Sequence, residues 1–369
     1  MELVVHKNDL LRELQLFQGI VERKNTIPIL ANVLMEAKGD QIRLLATDLE
    51  VGLRSSCPAV IAKEGTLTLP AKKLYEIIKS LPETDVRIAE DHNGVKVAAD
   101  KFDSRMQTQP PQDFPAVPDP GGSAGAVLDA SAIRSMVAKT QFAITGEDTR
   151  YFLNGALFIL QPDAMVLVAT DGHRLAHVVV PRASGSGPRD ESRAILPRKT
   201  LWELARLLAD DGGEVTYERS ENHLFFGVGS RMLISRVIDG QFPAFERVIP
   251  KGNDRHIEFE RERLTSAVRR VALLSNERSK AVKFGVEDGR VEVTSSSPEF
   301  GEAREVIPVE YDGGAMQICF NAQYVLDFLN VVDTDQVMLE LKDEASQAVL
   351  KPVGAEGYDY TYVIMPMRV

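Results

Sequence analysis

A carboxylate and two imidazoles lie close together in the middle of the chain, at Asp171, His173 and His177. Such side chains can bind a transition metal or transfer protons in acid–base catalysis. Histidines four positions apart can share a helix face, but these two follow a strand-like run and are predicted to be extended or in a turn. No further ligand stands out nearby, and Asp48 repeats the aspartate without a histidine. A Thr-Asp turn that caps backbone N–H groups is therefore favoured, and a metal or acid–base enzyme is the alternative.

The motif around Asp171 belongs to a threefold repeat. The letters ATDLE at 46–50 return as ATDGH at 169–173 and, more faintly, as VTSSS at 293–297. Each copy follows a strand-like run, and each run follows a helix-like segment. A repeat of roughly 120 residues has the commonest size of a domain. The repeat predicts three domains of one fold.

Each repeat divides into two halves, and each half has a helix followed by strands. The six helices are predicted from apolar residues at helical spacing. Their apolar faces begin at Leu10, Leu74, Ile133, Leu201, Leu264 and Val325. Linker-like stretches rich in Gly and Pro lie near 118–125 and 250–254. We therefore predict an α+β fold with domains at 1–123, 124–251 and 252–369, each with two helices packed on antiparallel sheets.

Composition indicates an ordinary globular protein, with 44% hydrophobic and 26% charged residues. The two cysteines, Cys57 and Cys319, are far apart and form no CxxC motif, which argues against a disulfide framework or a zinc ribbon. The first residues lack the apolar region of a signal peptide, and no apolar run is long enough to span a bilayer. We therefore expect a cytoplasmic protein without a membrane partner. The formal charge of -11 does not report how charge is distributed.

Four motifs carry a family resemblance: RYFLNG at 150–155, ATDGHRLA at 169–176, LSNE at 274–277 and MPMR at 365–368. The four motifs occur in this order along the threefold repeat. With them, the chain resembles the bacterial sliding clamp, the beta subunit of DNA polymerase III, over its whole length. The resemblance implies three clamp-type domains per chain and a head-to-tail homodimer that closes into a ring around double-stranded DNA. It also implies a processivity factor with no catalytic residue, no metal and no cofactor.

Basic pairs begin two of the predicted helices, Lys72-Lys73 after Pro70 and Arg198-Lys199 after Pro197. Cations at a helix N-terminus oppose the macrodipole by up to about 1 kcal/mol each, so a repeated pair suggests phosphate contact. At the start of its second helix, the third repeat has Asn321-Ala322-Gln323 in place of a basic pair. Further basic residues on the helices are Lys79, Arg134, Lys139, Arg206, Arg269 and Arg270. The alternative interpretation is that these basic residues simply form solvent-exposed faces of their helices. The chain has no recognition-helix signature, so the expected DNA contact is independent of sequence.

The resemblance adds residues near DNA and a pocket for partner peptides. The added DNA-binding residues are Lys24, Arg150, Tyr151 and Phe152. The pocket residues that it implies are Leu153, Thr170, Gly172, His173, Arg174, Leu175, Pro243, Arg247, Val248, Val363, Ile364, Met365, Pro366, Met367 and Arg368. The implied partners are the DNA polymerase III alpha subunit, the clamp loader, other DNA polymerases and repair proteins. The alternative for residues 363–368 is a last core strand.

The resemblance also implies a ring-closing interface, in which Met106 faces Leu273 and Leu274 of the other chain. Arg105 on one side and Glu299 and Glu302 on the other would add complementary charge. The alternative is that these apolar residues face the core of their own domain. A protein scaffold that never meets DNA is the remaining alternative function.

Overall fold

The computed structural model describes residues 1–21, 27–92, 94–121, 125–146, 149–182, 190–209 and 213–368. These residues form two compact units. The first contains 1–134 and 199–237, and the second contains 135–182, 190–198 and 238–368. The middle repeat contributes to both units. The predicted domain limits at 123 and 251 follow the sequence repeat instead, and they stay a prediction.

The first unit contains two sheets. Its five-stranded sheet has the order β5 (Val60–Lys63), β1 (Glu2–His6), β7 (Asp85–Asp91), β8 (Gly94–Ala99) and β9 (Phe102–Met106). Its eight-stranded sheet has the order β10 (Ala126–Asp129), β15 (Glu214–Arg219), β16 (His223–Val228), β17 (Arg231–Arg236), β4 (Val51–Pro58), β3 (Gln41–Thr47), β2 (Asn32–Lys38) and β6 (Gly65–Pro70).

The second unit also contains two sheets. The eight-stranded one has the order β14 (Ser192–Pro197), β11 (Gly155–Leu160), β12 (Ala164–Thr170), β13 (Arg174–Pro181), β25 (Asp359–Ile364), β24 (Ala348–Val353), β23 (Gln336–Leu341) and β18 (Arg255–Glu260). The four-stranded one has the order β21 (Gly301–Pro308), β20 (Arg290–Ser297), β19 (Ala281–Glu287) and β22 (Met316–Asn321). The strand pairs of both units are antiparallel.

Within the described residues, six α-helices lie where the apolar spacing predicts them. They are α1 (Lys7–Phe17), α2 (Ala71–Ser80), α3 (Ala130–Thr140), α4 (Arg198–Leu207), α5 (Arg261–Ala272) and α6 (Ala322–Val331). Their apolar faces are buried. In α1, for example, Leu10, Leu14 and Phe17 have no exposed surface. The predicted α+β class, with helices and antiparallel sheets in each repeat, is confirmed.

The start of α6 has a capping asparagine where the corresponding helix of the first repeat has a proline. The side chain of Asn321 caps this helix, because its Oδ1 accepts a hydrogen bond from Gln323 N at 2.9 Å. Asparagine is among the best N-capping residues. The α2 helix follows Pro70 instead and has no side-chain cap.

The Thr-Asp turns of the first two repeats share one hydrogen-bond pattern. Thr47 Oγ1 donates to Val51 O at 3.1 Å and accepts from Leu49 N at 3.0 Å. In the second repeat, the hydroxyl of Thr170 donates to Arg174 O at 2.7 Å and accepts from Gly172 N at 3.1 Å. The third residue of both turns has a positive φ, 81° at Leu49 and 86° at Gly172.

The third repeat forms its turn further along the chain than the faint motif at 293–297 suggests. Thr294 lies inside β20, opposite Lys283 and Arg304. Ser297 at the end of β20 resembles the threonines in one contact, because its Oγ accepts from Glu299 N at 3.3 Å. By strand position the equivalent of Thr47 and Thr170 is Ser296, since each is the seventh residue of its strand.

The repeats join edge to edge through strand pairs. In the first unit β4 pairs with β17, so that Val51 lies opposite Ser235. In the second unit β13 pairs with β25, so that Arg174 lies opposite Ile364. The corresponding strand of the third repeat, β21, ends its sheet, and β9 ends the five-stranded sheet. These two edges are where the chain offers a further junction of the same kind.

Candidate functional site

The turn at 170–174 is held by its own aspartate. Asp171 Oδ1 accepts hydrogen bonds from His173 N at 2.9 Å and Arg174 N at 3.0 Å. Gly172 and His173 lie exposed at the tip of the turn. Asp171 therefore caps backbone N–H groups, as the favoured interpretation of the motif predicts.

The metal or acid–base alternative finds little support in this geometry. Asp171 is occupied by its turn, and the His177 ring packs against Phe245 at a centroid distance of 5.4 Å. Burial lowers the pKa of His177, while Glu246 and Asp359 act in the opposite direction. Among the residues that the structure describes, no group of three His, Cys, Asp or Glu side chains is arranged to hold a metal ion.

Arg174 fastens the turn to α6. Its Nε donates to Asp171 Oδ2 at 3.0 Å, one terminal nitrogen donates to Asp327, and the other donates to Phe142 O at 2.6 Å. The guanidinium also stacks over the Tyr324 ring at 4.2 Å. Because the Arg174 side chain is only 9% exposed, it holds the turn in place more than it offers donors to a ligand.

The structure brings the turn together with the segment at 365–368. Leu175 lies opposite Val363 in the sheet. Met365 N then donates to His173 O at 2.9 Å, and Met367 N donates to Cys319 O at 2.7 Å. The two sequence regions expected to form opposite walls of a pocket therefore meet in the second unit.

The predicted pocket residues lie at two depths. Leu153, Leu175 and Val363 are buried in an apolar cluster with Phe242 and Phe245. Thr170, Ile364 and most of the Arg174 side chain are also buried, whereas Pro366 and Met367 are half-buried. The exposed members are Gly172, His173, Pro243, Arg247, Val248, Met365 and Arg368. Val363 and Ile364 therefore belong to a buried core strand, as the alternative interpretation predicts. Residues 365–368 lie beyond the end of that strand.

Several residues beside this site were missed at the sequence level. A Cβ atom on Gly172 would lie 3.4 Å from a guanidinium nitrogen of Arg150, so Arg150, expected near DNA, borders the turn. Asp327 and Tyr324 hold Arg174. A sequence signal for Asp327 exists: an acidic residue stands at the same position of each second helix, as Glu76, Glu203 and Asp327.

The basic residues expected to contact DNA differ in their surroundings. Lys72 and Lys73 are exposed in the first turn of α2, and Lys73 pairs with Glu76 at 2.7 Å. Lys199 instead forms an ion pair with Asp48 and donates to Ile20 O at 3.0 Å. Arg198 is half-buried at the start of α4. The structure thus gives Lys199 a role within the first unit that the sequence did not reveal.

Other helix cations are also occupied. The Lys139 side chain is only 4% exposed, pairs with Asp333 at 3.3 Å and lies over the Tyr358 ring. Arg206 pairs with Glu203, and Arg270 pairs with Glu305. Lys139 is therefore buried away from the predicted basic surface, whereas Arg206 and Arg270 remain 40% and 61% exposed, and that surface stays a prediction. Tyr151 is 56% exposed and touches the half-buried Phe152 edge-on, while Lys24 lies outside the described residues.

The residues expected at a ring-closing interface lie on or next to the edge strands β9 and β21 and directly after α5. Met106 ends β9 and is 8% exposed, and its neighbour Arg105 pairs with Asp91 at 2.8 Å. Leu273 follows α5 and is 76% exposed. Leu274 is half-buried, and two acidic residues are exposed, Glu299 just before β21 and Glu302 within it. The alternative that these apolar residues face their own core holds for Met106 and is wrong for Leu273.

Comparison with known proteins identifies the family. Models of the N-terminal, central and C-terminal domains of the DNA polymerase III beta subunit match residues 1–118, 127–244 and 246–368. The chain belongs to the DNA polymerase III beta subunit family. It is 39% identical to the beta sliding clamp of Pseudomonas putida and 34% identical to that of Escherichia coli K12, in each case over 100% of both chains.

Solved structures of this family agree. A sliding clamp from Pseudomonas aeruginosa, bound to griselimycin, superimposes with a TM-score of 0.94 at 37% identity, covering 100% of both chains. A Caulobacter crescentus beta clamp gives 0.93 at 37% identity with the same coverage. In the part of the chain that is described, no helix is long and apolar enough to cross a membrane.

Proposed function

We propose that two copies of this chain join head to tail in a closed ring around double-stranded DNA and act as a sliding clamp without catalysis. The observation that carries the proposal is that neighbouring repeats join each time through the same two kinds of edge strand. Inside the chain, β4 and β13 pair with β17 and β25, and the equivalent edges β21 and β9 end their sheets. A contact between β21 of one copy and β9 of another is heterologous, and it generates a ring when the rotation closes. Membership of the beta subunit family favours closure over an open filament.

The proposed DNA contact is made through phosphates. Lys72, Lys73 and Arg150 are exposed cations, and such side chains bind the DNA backbone without reading its sequence; the neutral Tyr151 is exposed beside Arg150. Each neutralised phosphate adds salt-sensitive affinity, so a small number of contacts suits a ring that must slide. Lys199 contributes less, because Asp48 already holds it.

The proposed partner site lies at the turn 170–174 and the segment 365–368. An extended peptide would find apolar surface at Val248 and Met365, with Arg247 and His173 exposed nearby to fix its polar groups. Methionine side chains adapt to different ligands, which suits a site that serves several partners. We assign to this site the DNA polymerase III alpha subunit, the clamp loader, other DNA polymerases and repair proteins.

Topological retention tests the proposal. The full chain is loaded on a nicked circular duplex by a clamp loader, and the complex is then separated from free protein by gel filtration at high salt. We expect retention on the circle and loss after a restriction enzyme linearises it, because phosphate contacts alone are weak at high salt. Equal retention on circular and linear DNA would contradict a ring. An absence of any retained complex would favour the scaffold alternative.

A further inference from the structure

The strand pairs that join the repeats, β4 with β17 and β13 with β25, share one register. We apply the same register to the free edge strands β21 and β9. In each junction the residue four positions after the turn hydroxyl, Val51 or Arg174, lies opposite a buried residue near the end of the partner strand. That partner residue is Ser235 in β17 and Ile364 in β25, and both are fully buried. The equivalent of Val51 and Arg174 in the third repeat is Gly301, because each of the three is the first residue of an eight-residue strand that ends in proline, at Pro58, Pro181 and Pro308.

The matching residue on β9 follows from its hairpin. Both β9 and β17 return from a tight hairpin, with Phe102 opposite Ala99 and Arg231 opposite Val228. Met106 is the fifth residue of β9, as Ser235 is the fifth residue of β17. Like Ser235 and Ile364, Met106 is buried. Met106 therefore corresponds to the residues that face Val51 and Arg174.

We propose that β21 of one copy pairs with β9 of the next copy in the register that sets Gly301 opposite Met106. This inference rests on the proposed ring and specifies how it closes. Along the antiparallel pair, Glu302 then lies opposite Arg105, and Arg304 lies opposite Asp103. All four of these charged side chains are exposed in the single chain.

The charges in this register form an alternating row across four strands. Within one chain, Asp103 on β9 pairs with Lys96 on β8 at 2.6 Å. On the other edge, Arg304 of β21 contacts Glu292 of β20. Joining the edges places Lys96, Asp103, Arg304 and Glu292 side by side with alternating sign. Opposite charges facing each other across strands stabilise a pair of strands.

Neighbouring registers are disfavoured by the same charges. Side chains stay on their face of the sheet only when a strand slips by two residues. A slip in one direction sets Glu302 opposite Asp103 and Arg304 opposite Lys101. A slip in the other direction sets Arg304 opposite Arg105. Each alternative brings like charges together, which destabilises cross-strand pairing.

A charge exchange tests the pairing of Asp103 with Arg304. In Asp103→Arg, both interfaces of the homodimer place arginine against arginine, and in Arg304→Asp both place aspartate against aspartate. Each single variant should raise the dimer dissociation constant by roughly tenfold or more in sedimentation at low salt. An equimolar mixture of the two variants restores an Arg–Asp pair at both interfaces of a heterodimer. We therefore expect the mixture, and also the double variant, to recover dimerisation.

Two controls make the result decisive. Arg290→Asp, an exposed change at the start of β20 and away from the edge, should leave the dissociation constant unchanged, and circular dichroism should show that each variant is folded. Single variants that dimerise like the unmodified chain, or a mixture that fails to recover, would overturn the register while leaving the ring intact. A monomeric unmodified chain that also fails to stay on circular DNA would overturn the ring itself.

Discussion

At the third position of the Thr-Asp turn, a single residue decides how much backbone strain the turn carries. Gly172 adopts φ 86° without a steric penalty, because it has no Cβ atom. Leu49 adopts φ 81° in the equivalent turn, where an L residue with a side chain is strained by about 1 kcal/mol or more. Its side chain is 49% exposed, and nothing in the structure explains why leucine stands there.

Gly172→Ala should lower the free energy of unfolding by about 1 kcal/mol, because alanine resists this φ. The added Cβ would also lie 3.4 Å from the Arg150 guanidinium. Chemical denaturation followed by circular dichroism measures the change. The matched variant is Leu49→Gly, which relieves strain at the equivalent position and should not destabilise the protein. Equal destabilisation by both variants would count against strain as the cause.

At the scale of elements, the acidic residue of each second helix has different neighbours in the three repeats. Asp327 of α6 binds Arg174, and both side chains are largely buried, with 19% and 9% exposed. Glu203 of α4 pairs with Arg206. Glu76 of α2 pairs with Lys73 on its own helix, and these two side chains are 43% and 72% exposed. Of these three helix carboxylates, Asp327 is the one that binds Arg174 of the turn at the proposed peptide site.

Asp327→Ala should cost about 2 kcal/mol of folding stability, because it removes a charged hydrogen-bond partner from the buried Arg174. It should also weaken binding of a partner peptide, since the turn at 170–174 loses its tie to α6. Thermal unfolding and a fluorescence titration with a labelled peptide provide the two measurements. Glu76→Ala is the matched control, and its exposed ion pair should contribute within about 0.5 kcal/mol. Unchanged peptide affinity in Asp327→Ala would show that Arg174 does not position the turn.

The sequence predicts elements whose signals are local. The helices follow from apolar spacing, and the Thr-Asp turns follow from side chains that bond their own backbone. The contacts of Arg174 with Asp327 and of Lys199 with Asp48 join residues more than a hundred positions apart, so no local pattern announces them. For the same reason, the sequence placed Leu153, Leu175 and Val363 at the candidate site without showing that they lie beneath its surface.

At the scale of the whole molecule, repeat junctions combine paired strands with charged contacts. In the first unit, Arg231 binds Glu13 of α1 at 2.8 Å, with both side chains nearly buried. In the second unit, Lys139 of α3 binds Asp333. The free edge strands instead expose apolar side chains, Phe102 on β9 at 38% and Val306 on β21 at 40%, and Leu273 directly after α5 is 76% exposed. Apolar side chains exposed beside an unpaired strand edge are expected where another chain docks.

Replacing Leu273 and Leu274 together by alanine should therefore give monomers. Buried leucines stabilise by roughly 2–5 kcal/mol each, and a head-to-tail ring of two copies loses this contact at both interfaces. Leu273 is mostly exposed in the single chain, so its truncation should act on association more than on folding. Analytical ultracentrifugation measures the result, with circular dichroism as the check on folding.

Val60→Ala is the matched control for this variant, since Val60 on β5 is 72% exposed but lies on the opposite edge of its sheet from β9. Its sedimentation should equal that of the unmodified chain, because an exposed valine away from the interface contributes little to association. If the double leucine variant also sediments as a dimer, the two chains must meet through another surface, and the ring-closing role of Leu273 is wrong.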